Sequence, residues 1–373
     1  MSWRESFAAR LSTGMLSGVT TRTWLRILAD NHYAVDHPYR ARAALVSMNA
    51  LQNSVLRRLE DLRFGRAVAE YTMPPPIFVL GIWRSGTTHL HNLLARDPRL
   101  AAPTLYQVCY PTTFLSTEAT GSRVLDLFVP RKRPMDNVRM ASTEPQEDEW
   151  ALCSLTGRCA MMHLFFPRTE GLYDRYLTLR DLPEHELNEW TSSLSRFIRK
   201  VGYRNAGKPV VLKSPAHTGR IRTLLRMFPG AKFVHIHRNP YDVFASCRFT
   251  FQKVAEWCAM QHPRFPDMDG DLLGQFKEIF DAFFEDVPLI PAGRFHEFSY
   301  DALTADPIGT LGRMYESLGL PDFAAAEPAI SAYLATLKDY QKNRFDPLPV
   351  ELERRIAVEL SRCFDAWGYP SHV

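Results

Sequence analysis

No apolar run in the 373 residues approaches the ~18 that a membrane-crossing helix needs, so no transmembrane span is expected. The opening stretch MSWRESFAARL mixes charges among apolar residues, with no apolar block before a small-residue cleavage site. A cytoplasmic protein is expected. Cysteine is sparse, and the six at 109, 153, 159, 247, 258 and 363 form no CxxC pair. Free thiols in a reducing compartment follow as the simplest expectation. Cys153, Cys159 and His163 lack the second ligand pair of a zinc finger, so no metal is expected there. Charge of one sign is scarce too. A net charge of +4 is too small for a general polyanion surface. It argues against a nucleic-acid partner and for a local basic pocket that takes a small anion. Repeats and low-complexity tracts are missing as well.

What is present is ordinary globular material, 46% hydrophobic and 23% charged, in a chain long enough to bury a core without staples. Residues 1–73 read as a helical N-terminal arm. Within it Leu45, Met48, Leu51, Val55 and Leu59 recur at steps of three and four, one apolar helical face. Core is the ordinary reading of such a face; a face lying on a membrane or holding an acceptor shares the same spacing, so peripheral membrane contact stays open. Pro74-Pro75-Pro76 ends the arm, because proline cannot continue a helix.

From 74 to 373 the pattern becomes strand, helix, strand, helix. IFVLG at 77–81, PVVLK at 209–213, KFVHIH at 232–237 and GRFHEFSY at 293–300 are strand candidates. Helical patterns follow over about 86–95, 217–228, from 240, 307–318, 323–338 and 350–366. This alternation predicts an α/β fold, a P-loop-like, mostly parallel sheet flanked by helices, with ligand beyond the C-terminal strand ends. The looser stretch 97–208 is read as an insertion that shapes an acceptor pocket.

Gly81-Ile-Trp-Arg-Ser-Gly86-Thr87-Thr88 follows a strand and opens a helix. Its two glycines let consecutive N–H groups face one anion, the helix N-terminus adds a positive dipole end, and Ser85, Thr87 and Thr88 add hydroxyl donors. In the nucleotide triphosphatase loop a lysine follows the second glycine, and the next hydroxyl holds magnesium. Here Thr87 takes the lysine position and Arg84 supplies the cation from inside the loop. The loop is suited to a shorter anion without a metal. WRSGTTHLHNLL resembles the 5′-phosphosulfate loop of sulfotransferases that use 3′-phosphoadenosine 5′-phosphosulfate. The resemblance implies that Arg84 contacts the phosphate and the sulfate-bridging oxygen, while Ser85, Gly86, Thr87 and Thr88 cradle the 5′-phosphate.

A second segment, FVHIHRNPYDVFAS at 233–246, ends a strand in Arg238, starts a helix at Asn239-Pro240, and sets Ser246 eight residues after the arginine. Proline suits the first helical turn and Asp242 answers the dipole there. On its own this is a capped βα unit. It is similar to the family's 3′-phosphate motif, which implies that Arg238 and Ser246 hold that phosphate. Phe298–Leu303 is similar to a segment whose tyrosine, here Tyr300, lies near the adenine. The likeness is closest to bacterial members with an LKSP segment and touches roughly 77–318 in patches.

Sulfuryl transfer needs in-line alignment and cations at the leaving oxygen. Arg84 is one; Lys213, in VLKSPAHT, matches a lysine found near the sulfate in the family. The histidine base of cytosolic members is absent, since Pro215 stands in its place. Thr143-Glu-Pro-Gln-Glu-Asp-Glu-Trp150 offers four carboxylates. Crowding and burial raise carboxylate pKa values, which suits a base. Glu147 is the preferred candidate, ahead of Asp148 and Glu149; acids in a helix's first turn with Thr143 as cap explain the run equally well. His217 is a further candidate, against a core or capping role. Arg131-Lys132-Arg133 reads as a solvated loop or an anion attractant, and Lys338, Lys342 and Arg344 as a surface face or a closure over the phosphates. Tyr106, Tyr110, Phe114, Phe128, Phe165 and Phe166 suit a hydrophobic small-molecule or lipid hydroxyl acceptor. A P-loop kinase or nucleotide hydrolase is the rival reading, and a relic binding protein the second.

Overall fold

A computed structural model describes residues 13–130, 133, 138–169, 171–338 and 345–372. The chain forms two compact units. A helical unit takes the segments up to Met73, Pro103–Gly207 and Phe251–Pro266; a sheet unit takes Pro74–Ala102, Lys208–Thr250 and the segment from Asp267 onward. Their main elements, in chain order, are helices α1 (Thr21–Asp30) and α2 (Arg40–Glu70), strand β1 (Ile77–Leu80), and helices α3 (Thr87–Leu94), α4 (Phe114–Asp126), α5 (Glu149–Thr156) and α6 (Glu184–Arg204). There follow strands β2 (Val211–Lys213) and β3 (Lys232–His237), helices α7 (Pro240–Cys258) and α8 (Met268–Asp286), and strand β4 (Phe295–Ser299). Among the described residues no helix is long and apolar enough to cross a membrane.

The sheet is wholly parallel, in the order β2-β1-β3-β4. Parallel strands are covered on both faces and read as continuous apolar runs, which is why Ile77 to Leu80 are all buried. Alternation along the strands sorts the faces. Ile77, Val79, Val211, Val234 and Ile236 join Leu90 and Leu93 of α3 and Leu311 and Met314 of the helix Pro307–Ser317 in one core. On the other face Phe78 stacks on Phe233 at 5.6 Å, and His235 lies 4.2 Å from Phe283 of α8. Pairing of β1 with both β2 and β3 brings the loops after all three strands to one end of the sheet.

Helix α8 was not anticipated. Asp267 caps it by accepting from Gly270 N–H, and Leu272, Phe276, Ile279, Phe280 and Phe283 form its buried face. That spacing was legible in the sequence. Other helices divide: 217–228 opens as a 3₁₀ turn, Pro215–Gly219, and 323–338 splits into Phe323–Ala325 and Glu327–Ala335.

In the helical unit α1, α2, α5 and α6 surround Trp24, Ile27, Val46, Leu152, Trp190, Leu194 and Phe197. Here the core reading of α2 is overturned. Met48, Leu51, Val55 and Leu59 are exposed, and the inward face instead carries Arg42, Val46, Ala50, Asn53 and Glu60. The polar members find partners inside. Asn53 donates to the carbonyls of Ser17 and Val19. Glu60 pairs with buried Lys200 at 2.5 Å and accepts from Ser116 N–H, and Lys200 also donates to Pro111 O. The free-thiol expectation is corrected too. Gly157, in the left-handed region, ends α5 and turns the chain, bringing Cys159 back to form a disulfide with Cys153. The remaining cysteines, 109, 247, 258 and 363, are buried and free.

Candidate active site

The loop after β1 is defined by unusual backbone. Gly81 has φ +138°, Arg84 +69° and Gly86 +107°. A Cβ on Gly81 would lie 2.5 Å from the Ile236 carbonyl, and one on Gly86 would lie 2.4 Å from the Tyr300 ring. Both positions therefore require glycine, for space as well as for φ. Arg84 is left-handed without that freedom, a conformation that costs of order 1–3 kcal/mol and is held by its surroundings. Gly81 N–H donates to Thr218 Oγ1 and Ser85 Oγ donates to Ile82 O, which fix the loop's entry. Thr218, just beyond β2, was missed in the sequence; the hydroxyl in VLKSPAHT is its signal.

The structure draws most of the nominated residues of the sheet unit together. Arg84 Nε donates to Ser246 Oγ at 3.0 Å, so the loop after β1 and helix α7 meet directly. Lys213 Nζ donates to Thr88 Oγ1 at 3.2 Å, setting the β2 ammonium against the first turn of α3. The Arg238 guanidinium lies 5.1 Å over the Tyr300 ring and pairs with Asp242 at 3.1 Å. Tyr300 in turn covers Gly86. Ser299 caps the helix that begins at Tyr300 by accepting from Ala302 N–H, and Asn239 turns the chain into α7 by accepting from Tyr241 N–H.

Beside Arg238 a cavity of about 10 Å³ is bounded by Ser85, His237, Pro240 and Trp367. His237 stacks on Trp367 at 4.9 Å. Burial, with His235 adjacent, holds its imidazole down at about 4, so at neutral pH it adds no charge. Burial pushes the Glu297 carboxyl up, but the 2.6 Å hydrogen bond with His235 outweighs it and keeps Glu297 ionised.

Other nominees lie elsewhere. His217 is fully buried, edge-on to Phe78, with Nδ1 3.4 Å from Arg220 Nη1. Glu147 belongs to the helical unit and is half-buried just before α5; Asp148 and Glu149 are buried. Thr143 is not the cap of that helix, which starts later, at Glu149. Among the acceptor aromatics Tyr106, Phe114, Phe165 and Phe166 are buried core, whereas Phe128 is exposed. Arg131, Lys132, Lys342 and Arg344 lie outside the described residues, and Lys338 is exposed.

Residues 75–324 match the model of a family described as the sulfotransferase family. Two curated relatives, from Mycobacterium bovis and Mycobacterium tuberculosis, are both named omega-hydroxy-beta-dihydromenaquinone-9 sulfotransferase Stf3. Each is 36% identical over 372 residues, covering all of this chain and 94% of the relative. Among solved structures, sulfotransferase STF9 from Mycobacterium avium superposes with a TM-score of 0.73 at 20% identity, over 98% of this chain and 96% of that one. Sulfotransferase STF1 from M. tuberculosis gives 0.69 at 22%, over 96% and 99%. These two likenesses carry the fold.

Proposed function

This chain belongs to the sulfotransferase family and is an enzyme of that class, and we propose that it takes its sulfuryl group from 3′-phosphoadenosine 5′-phosphosulfate and gives it to the hydroxyl of a lipid-like acceptor. The observation that carries the donor is the Arg84–Ser246 hydrogen bond. It makes one continuous cationic site of two segments, suited to one ligand with an anion at each end. The loop from Gly81 to Thr88, curled by left-handed backbone at Gly81, Arg84 and Gly86, suits the 5′ end. Arg238 and Ser246 hold the 3′-phosphate, and Tyr300, stacked under Arg238, faces the adenine.

Transfer is an in-line displacement. The acceptor oxygen forms its bond to sulfur as the bond from sulfur to the 5′-phosphate oxygen breaks, and negative charge gathers on that leaving oxygen. Arg84 and Lys213 neutralise it. Lys213 is buried, where a cation acts with little screening, and its bond to Thr88 fixes it at the loop. Glu147 belongs to the helical unit and is assigned no proton transfer at this loop. His217 is assigned no proton transfer, because its ring is enclosed in the core.

The acceptor reading is supported by the 36% identity to relatives named for a hydroxylated menaquinone derivative. Incubating the protein with ³⁵S-labelled donor and a lipid extract tests it. Label should enter the organic phase as a sulfate ester. Label confined to water-soluble products overturns the lipid acceptor.

A further inference from the structure

Helix α2 is amphipathic with its polarity inverted. Met48, Leu51, Val55, Leu59 and Leu62 are 66, 62, 59, 57 and 85% exposed, although each is a residue that folding normally buries. At 3.6 residues per turn they fall within about 80° of arc and run about 21 Å along the helix. The stripe is bordered by basic residues. Arg58 lies along one edge, Arg63 along the other, and Arg66 continues the line; all are exposed. The acids of this helix are placed away from it or neutralised. Glu60 points inward to Lys200, Asp61 pairs with Arg57 and Arg196 on another side, and Glu70 in the last turn pairs with Arg66 at 2.8 Å.

A folded chain gains nothing by holding five large aliphatic side chains in water while burying Arg42, Asn53 and Glu60 on the same helix. A partner must cover the stripe. A second copy laid face to face would set Arg58 and Arg63 near their own counterparts, with Glu70, the acid nearest the stripe, already paired to Arg66, a like-charge contact that opposes association. An anionic bilayer fits both features. Its acyl boundary takes the aliphatic stripe, and its phosphates take the flanking guanidinium groups, as for helices that lie in the interfacial plane. We propose that α2 is a docking surface for an anionic phospholipid membrane.

Co-sedimentation of the full chain with vesicles tests this. Vesicles containing phosphatidylglycerol should carry the protein down and release it at high salt, whereas pure phosphatidylcholine should retain little. The exposed-site variant Leu59→Glu/Leu62→Glu should lower partitioning about tenfold or more. Arg58→Gln and Arg63→Gln should each lower it about fivefold. The thermal midpoints should stay unchanged, because neither face of the core is touched. Titration with adenosine 3′,5′-bisphosphate in parallel should also be unaffected, which separates this proposal from the donor reading. The proposal is overturned if wild-type protein ignores the anionic vesicles, if neutral vesicles bind it equally well, or if it is a dimer that Leu59→Glu/Leu62→Glu dissociates.

Discussion

The two units store their unusual chemistry in different ways. In the sheet unit the anomaly is in the backbone, at Gly81, Arg84 and Gly86. In the helical unit the backbone of α2 is plain helix, and the anomaly is in facing: Arg42, Asn53 and Glu60 go inward while Met48 to Leu62 go outward. The first kind of site is dictated locally, because glycine at fixed spacing after a strand leaves few conformations. The second kind depends on what the rest of the unit places opposite each face. An apolar stripe repeats at the same period whether it is buried or exposed.

The contrast is broken most severely at the Glu60–Lys200 pair, which lies inside the helical unit at 2.5 Å. Burial lowers the lysine's pKa while Glu60 opposes it. Glu60→Gln should cost about 3–5 kcal/mol in guanidinium unfolding, because it leaves a buried charge without its counter-ion. The apolar double variant Glu60→Leu/Lys200→Met should recover much of that. A loss below about 1 kcal/mol would mean the pair contributes little.

In the sheet unit the largest effects should be on rate. Arg84→Ala and Lys213→Ala should each lower kcat about 10²-fold, or about 3 kcal/mol of barrier, with the unfolding midpoint preserved.

Gly86→Ala sharpens the backbone side of the comparison. Its φ of +107° and the 2.4 Å approach to Tyr300 should together cost roughly 1–3 kcal/mol and weaken bisphosphate binding about tenfold. Removing the ring with Tyr300→Ala in that background should relieve the clash but not the strain, so stability should return only in part.

The last effect concerns pH. His237 is neutral in the fold, with its pKa held at about 4 against an ordinary 6.5. The unfolded chain therefore binds the extra proton between those values, and stability should fall as pH drops from about 6.5 toward 4. His237→Gln should flatten the unfolding midpoint across that window. An unchanged slope would place the titration elsewhere.

The sequence made the parallel sheet and the turns into α3 and α7 legible, because Gly81, Gly86, Pro240 and the short apolar strands each act on their own neighbourhood. It left other features closed. The Arg84–Ser246 contact joins residues far apart in the chain, and only the β1–β3 pairing brings them together. The Cys153–Cys159 bridge needed the turn at Gly157, which cysteine counting does not register. Helix α8, by contrast, carried a readable apolar spacing.

Calorimetric titration of the purified protein with adenosine 3′,5′-bisphosphate is the most direct measure of whether the joined Arg84–Ser246 and Arg238–Tyr300 cluster grips both ends of one nucleotide. Binding to a single site should be seen, weakened at least about tenfold by Arg238→Ala, in keeping with about 1.5–3 kcal/mol for a hydrogen bond to a charged group. Heats indistinguishable from dilution, or equal affinity for adenosine 5′-diphosphate without a 3′-phosphate, would contradict it.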